Sequence, residues 1–295
     1  MFWRRLLDRF GAEQGLVLAL SGGGARGLAH IGVLQVLEKH GVRPDLITGT
    51  SMGAIVGGLY ALHDDAGRVR DKAMEVVESE SFKRFGLDDL LEKQKGGSRA
   101  SEEFGQHVRR LFLLTRMMRK PAIIEGQLLL DTLRDVFGDA SFSDLTIPFI
   151  AIASDLISGE DIELATGPLA PAIAASASIP GVFEPVRMES WYLVDGGVTK
   201  NVPIPDGQST TRSKVIAVDV LPGLTDSGPF LHGVDVLSRA DQITMLHLNR
   251  FYLSYADVVI KPEVRKVHWA DFHRMDELIE AGVKATEEVL EEIID

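Results

Sequence analysis

The sequence predicts an α/β fold, with a central, largely parallel sheet covered by helices on both faces in three α/β/α layers. Three observations point there. Short apolar runs such as Leu16–Leu20, Leu46–Thr50 and 148–153 lack polar alternation, as strands buried on both faces do. Segments with helical spacing of apolar residues lie between these runs, as crossovers between parallel strands must. The first two runs lead through glycines, in SGGGARG and GTSMG, into the helical segments that follow.

Taken in order, LVLAL at 16–20 is the first strand. Residues 27–39 set Leu28, Ile31, Leu34, Val36 and Leu37 near helical spacing, and Gly41 supplies a stop. LITGT at 46–50 is the second strand. Residues 51–62 form a helix of small residues that can approach a sheet closely. A charged helical pattern runs over 64–94, KGGSRAS is a loop, 102–120 is a partly basic helix, and 126–137 is another helix. The third buried strand, 148–153, is followed by strands at 162–165 and 191–194. Between those two lies the uncharged stretch LATGPLAPAIAASASIPGVF, whose three prolines favour a buried helix over a membrane span. Strands at 214–220 and 258–261 and an amphipathic, acidic helix over 271–294 complete the chain. No repeat and no convincing linker divides it, so one domain is expected over 15–295, preceded by a basic arm, 1–14.

Bulk chemistry narrows the function. A net charge of −12 argues against general nucleic-acid binding, which needs clustered Lys and Arg. It also disfavours adhesion of the whole surface to anionic lipid, while leaving room for a local basic patch. The absence of cysteine removes disulfides, thiolate catalysis and Cys-ligated metal sites. The N-terminal MFWRRLLDRF breaks its apolar residues with Arg4, Arg5, Asp8 and Arg9 and does not read as a signal peptide. A cytoplasmic protein is expected, with peripheral contact at the inner membrane face as a further option.

Three glycine-rich stretches hold the candidate chemistry. SGGGARG at 21–27 fits G-x-G-x-x-G between a strand and a helix, the dinucleotide fingerprint. That reading wants an acid at the end of the next strand. The strand ends instead in Thr50-Ser51, and its only acid, Asp45, stands at the start. The same geometry has a second use: unpaired N–H groups at a helix N-terminus can hold a phosphate or a developing oxyanion. The second stretch, Gly49-Thr50-Ser51-Met52-Gly53, is a G-x-S-x-G between strand and helix, the setting of a nucleophile elbow. A helix N-cap serine explains Ser51 equally well but leaves the earlier glycine loop without a purpose. The third is WYLVDGGVTKNVPI. Asp195 is there either an ordinary Asp-Gly turn or a desolvated carboxylate able to act as a base. Of the eight histidines, only His232 and His268 follow Asp195 where a triad would place one, and both read better as surface or capping residues.

Together, LSGGGARGLAHIGVLQVLEKHGVRPDLITGTSMGAIVGGLYA, ASASIPGVFEPV and DGGVTKNVPI resemble the patatin-like phospholipase family, in particular its bacterial branch related to neuropathy target esterase. The resemblance covers about 15–205. It implies the patatin-like form of the three-layer fold and a Ser–Asp dyad in place of a triad, with Ser51 as nucleophile and Asp195 as proton acceptor. It further implies an oxyanion hole from the amides of Gly22, Gly23 and Gly24. Arg26 matches the family's loop arginine, either drawing a lipid phosphate or bracing the loop. The segment 176–183 corresponds to a helix-and-proline element and is assigned to packing. One departure stands out: where the family places an amphipathic helix after the position of Pro203, PDGQSTTRSK is polar and broken.

The function expected from this resemblance is hydrolysis of fatty-acyl esters of phospholipids or lysophospholipids, with no metal and no cofactor. Two alternatives keep the same residues: an acyltransferase, and a non-catalytic lipid-sensing protein. The segment HVRRLFLLTRMMRK, 107–120, has the composition of a helix at a lipid surface, and equally of a helix with one buried and one basic solvated face.

Overall fold

A computed structural model of the protein describes residues 15–86, 120–205, 213–224 and 230–294. The expected basic arm 1–14, the loop 95–101, nearly all of the helix expected over 102–120 and most of the polar break after Pro205 lie outside these residues.

Strand β1 (Leu16–Leu20) leads through a 3-10 turn, Gly24–Leu28, into α1 (Ala29–Lys39). Strand β2 (Leu46–Thr50) passes directly into α2 (Met52–His63), followed by α3 (Ala66–Glu78) and the single turn α4 (Glu80–Lys83). Next come β3 (Ala122–Ile124), α5 (Gly126–Phe137), β4 (Phe149–Asp155), β5 (Asp161–Leu164) and α6 (Leu169–Ser176). Strands β6 (Gly181–Phe183), β7 (Val186–Met188) and β8 (Trp191–Asp195) follow. The last elements are β9 (Lys214–Val218), α7 (Gly233–Leu253), β10 (Val258–Ile260), α8 (Met275–Glu288) and α9 (Leu290–Ile294).

The main sheet runs β10-β9-β1-β2-β4-β8-β7, with β5 also on β4. The pairs from β10 through β4 are parallel, whereas β8, β7 and β5 join antiparallel. The α/β class and the largely parallel centre are therefore as expected, with an antiparallel edge added. Every residue of β2 and β4 is buried, which is why neither strand alternates in sequence.

The helices are shared unequally between the two faces. Leu18 and Leu20 of β1 point into a large core with residues of α1, α2, α3, α5, α6 and α8. The intervening Val17 and Ala19 point into a smaller cluster with Ile150, Ile152, Val202 and Ile204, closed by Tyr252, Leu253 and Ala256 around the end of α7. Among the described residues, the second outer layer is thus thinner than three equal layers would give. The 21-residue α7 does not stand out in the sequence, because several of its apolar side chains face solvent; Leu237, for instance, is 72% exposed. Among the described residues no helix is long and apolar enough to cross a membrane.

Among the described residues the tightest helix crossing joins α1 to α8. A Cβ on Gly32 would fall 2.0 Å from the Ile279 carbonyl oxygen, and one on Gly282 would fall 2.0 Å from that of Ala29. Both obstacles are backbone, so a methyl group there forces the helices apart. Gly32→Ala is expected to destabilise the fold by about 2–3 kcal/mol, in the range of overpacked cores, read from the urea midpoint at unchanged m-value.

Candidate active site

The C-terminal edge of the parallel strands gathers the three glycine-rich stretches. Ser51 follows β2 and carries φ 55° and ψ −121°, a left-handed conformation rare for a residue with a side chain. The turn is this sharp because α2 starts one residue after β2 ends. Gly53 makes that possible: a Cβ there would lie 2.2 Å from the Leu20 carbonyl oxygen.

Sheet register brings Asp195 to the same level. Thr50 pairs with Ile152, and Asp195 with Ala153, so Ser51 and Asp195 stand on either side of β4. Two interstrand steps of about 4.8 Å separate their backbones. The side chains reach across that gap, near enough for the Ser51 hydroxyl to favour the ionised form of the Asp195 carboxyl. Asp195 also accepts the Gly197 N–H at 2.8 Å. Burial pushes its carboxyl up to about 6, and the bonds from Ser51 and Gly197 restrain the rise. Both residues are largely buried, at 6% and 7% exposure.

The glycine loop lies beside this pair. Ser21 is anchored from three sides. Its N–H donates to the Val218 carbonyl at 3.1 Å, its Oγ accepts the Val220 N–H at 3.0 Å, and its carbonyl accepts from His30 Nε2 at 2.8 Å. His30 is fully buried, and desolvation lowers its pKa to about 4, which keeps the ring neutral. The expectation of three free glycine amides is corrected here. The Gly22 N–H already donates to the Asn201 carbonyl at 3.1 Å, because the chain after Asp195 folds back onto the loop. Among the described residues, the N–H groups of Gly23 and Gly24 have no acceptor.

Arg26 donates from Nε to the Val267 carbonyl at 2.7 Å, and partial burial lowers its pKa. Bracing is therefore part of its role. His232 is an exposed cap at the start of α7, and His268 Nδ1 accepts the Ala270 N–H at 3.3 Å, so neither histidine faces Asp195. Asp45 pairs with the backbone of Leu16 at the opposite end of the sheet, which leaves the glycine loop without the acid a dinucleotide requires.

Three contributors escaped the sequence reading. The Ser176 Oγ accepts the Ser51 N–H at 3.0 Å, and the Ser178 carbonyl accepts the Asp195 N–H at 2.9 Å. Lys200, 1% exposed, pairs with Asp161 at 2.8 Å while its carbonyl accepts the Thr50 hydroxyl at 2.9 Å, tying the Asp195 loop to β2.

Ser51 opens onto a cavity that continues into open solvent. Met52, Ile55, Val56 and Leu59 line it along two turns of α2, a depth of about 10 Å at 1.5 Å per residue. Val76 of α3 and Leu133 of α5 are among the side chains that complete an almost wholly apolar wall. The hydroxyl of Thr132, the other polar side chain in the lining, is turned back onto the Leu128 carbonyl at 2.9 Å.

A family model described as patatin-like phospholipase matches residues 18–206. The uncharacterized NTE family protein Rv2565 of Mycobacterium tuberculosis is 30% identical over 304 residues, covering 95% of this chain and 47% of its own. Patatin-like phospholipase domain-containing protein 6 of Mus musculus is 30% identical over 207 residues, covering 70% of this chain and 13% of its own. Among solved structures, VipD from Legionella pneumophila aligns at a TM-score of 0.49 and 16% identity, covering 94% of this chain and 66% of that one. The chain thus spans about half the length of the mycobacterial relative. With its family match running through all three glycine-rich stretches, the chain belongs to the patatin-like phospholipase family.

Proposed function

We propose that the protein is a serine acyl-ester hydrolase acting on fatty-acyl esters of phospholipids or lysophospholipids through a Ser51–Asp195 dyad. The observation that carries this reading is the meeting of a hydroxyl, a buried carboxylate and free loop amides at the mouth of a deep apolar cavity.

In the first step Asp195 takes the proton of Ser51 as Oγ bonds to the ester carbonyl carbon. The carbonyl π electrons move onto oxygen, and the resulting anion is held by the N–H groups of Gly23 and Gly24 at the start of the 3-10 turn. The Gly22 N–H is already given to the Asn201 carbonyl and supports the loop rather than the anion. Collapse of the intermediate breaks the ester C–O bond, and the leaving alcohol takes the proton from Asp195. Water then adds to the acyl-enzyme as Asp195 again accepts a proton; collapse breaks the bond from the acyl carbon to Ser51 Oγ, which takes that proton back, and the fatty acid leaves. A carboxyl near 6 is basic enough for this role and still ionised at neutral pH. The terminal nitrogens of Arg26 are the proposed contact for an anionic headgroup.

The acyl chain is assigned to the cavity along α2. Leu59 lies two turns beyond Ser51, so Leu59→Trp is expected to shorten the site. Losing burial of two methylenes, at about 0.8 kcal/mol each, lowers kcat/KM on p-nitrophenyl palmitate by more than about tenfold. Activity on p-nitrophenyl butyrate should stay within about twofold. An equal fall on both esters would remove the cavity from the assignment. A fluorophosphonate that fails to label Ser51 in the folded protein would remove the hydrolase reading itself.

A further inference from the structure

The segment 176–178 lies across β4 and touches both members of the dyad. At one end the Ser176 Oγ accepts the Ser51 N–H at 3.0 Å, and at the other the Ser178 carbonyl accepts the Asp195 N–H at 2.9 Å. The segment between them is stiff. The Ser178 Oγ donates to the Ala174 carbonyl at 2.7 Å, and the Ala177 N–H donates to the Ile173 carbonyl at 2.9 Å, so the segment is fixed to the last turn of α6. Ser176 and Ser178 are both fully buried.

Ser51 occupies a conformation that needs external support, since a residue at φ 55° relaxes unless its surroundings hold it. Its own N–H is the handle. The peptide preceding Ser51 can rotate toward an ordinary φ only by withdrawing that N–H from Ser176. Water cannot replace the lost acceptor at a fully buried position.

We propose that Ser176 is a positioning residue. Its hydroxyl oxygen holds the strained turn at Ser51 and, through the rigid step to Ser178, fixes the reach between Ser51 and Asp195. This rests on the dyad reading only for its consequence in rate. The restraint on the Ser51 amide is a property of the fold and is measurable without substrate.

The test compares Ser176→Ala with Thr286→Ala in the full-length chain. Thr286 is equally buried and its hydroxyl bonds the Gly282 carbonyl at 2.8 Å, on α8 and away from the dyad. Both variants lose one buried hydroxyl, so both register a general loss of stability. Ser176→Ala alone is expected to raise amide hydrogen exchange at Ser51 by about tenfold or more. It should also lower kcat on p-nitrophenyl butyrate by about tenfold while KM stays within twofold. Fluorophosphonate labelling should slow in parallel. Unchanged exchange at Ser51 in Ser176→Ala, or an equal rise in Thr286→Ala, overturns the positioning role. Faster exchange at Ser51 with unchanged kcat also overturns it, because the restraint would then not matter to the dyad. A parent protein that neither labels nor hydrolyses overturns the dyad reading, and the exchange experiment still decides whether Ser176 holds the turn.

Discussion

Ser51→Gly is expected to abolish ester hydrolysis and to melt above Ser51→Ala. The two variants share the chemical loss. Without Oγ no acyl-enzyme forms, and residual turnover should fall by about 10⁴-fold or more, the scale found when a hydrolytic nucleophile is removed. They differ in the backbone. Alanine keeps a Cβ at φ 55° and ψ −121°, whereas glycine adopts that region freely. The strain of such a residue is about 1–3 kcal/mol, and glycine's greater freedom in the unfolded chain offsets part of its release. A net advantage of about 1 kcal/mol for glycine should therefore appear in thermal or urea unfolding. Equal stability of the two variants would show that the turn is relaxed in solution, and retained turnover in either would exclude Ser51 as nucleophile.

Asp195→Asn is expected to separate activity from stability still further. Burial raises this carboxyl from an ordinary 3.8 to about 6. A raised folded-state pKa means the folded protein binds that proton more tightly than the unfolded chain. The favourable contribution is complete below about pH 4 and is lost as pH climbs through about 6. At pH 8 the ionised Asp195 therefore costs about 3 kcal/mol, at 1.36 kcal/mol per pKa unit. Asparagine keeps an acceptor for the Gly197 N–H and carries no charge to desolvate. It should stabilise the protein by up to about 3 kcal/mol at pH 8 and by little at pH 4, measured by urea unfolding at both values. Activity should fall by about 10⁴-fold, as when a dedicated base partner is neutralised. In the parent, kcat/KM should be half-maximal near pH 6 and level above about 7, since only the carboxylate accepts a proton. A rate that rises as pH falls below 6 would assign Asp195 a different part.

The sequence exposes much of this arrangement because its strands are buried on both faces. The runs at Leu16–Leu20 and Leu46–Thr50 have the observed strand bounds, and the helix at Gly126–Phe137 matches its apolar period. Full burial makes the strands readable as unbroken apolar runs, and burial on one strong face does so for the helix. Strands β3, β6 and β7 have three residues each, too few for any period to emerge. Helix α7 was missed because its apolar residues do not mark a buried stripe. At the site, glycines and the strand-ending Ser51 and Asp195 are visible as motifs. The engagement of the Gly22 amide by Asn201 is not, because it depends on where a distant loop returns. The same holds for Ser176, which sits in an alanine-rich stretch that reads as plain packing and whose hydroxyl acquires a purpose only when α6 is laid over β4.

The glycine loop depends on residues well outside the family match. Gly24 has φ 58°, a Cβ on it would fall 2.3 Å from the Trp269 carbonyl oxygen, and the Ala25 N–H donates to that same oxygen at 2.6 Å. Strand β9 also lies directly against β1, and α8 crosses α1 at touching distance. The signature that identifies the chain is therefore smaller than the unit that folds. A fragment ending near residue 206 would expose one flank of its central strand and lose a wall beside its glycine-rich turn. Domain swaps and truncations in such proteins should be cut beyond the last helix, not at the edge of the recognisable motif.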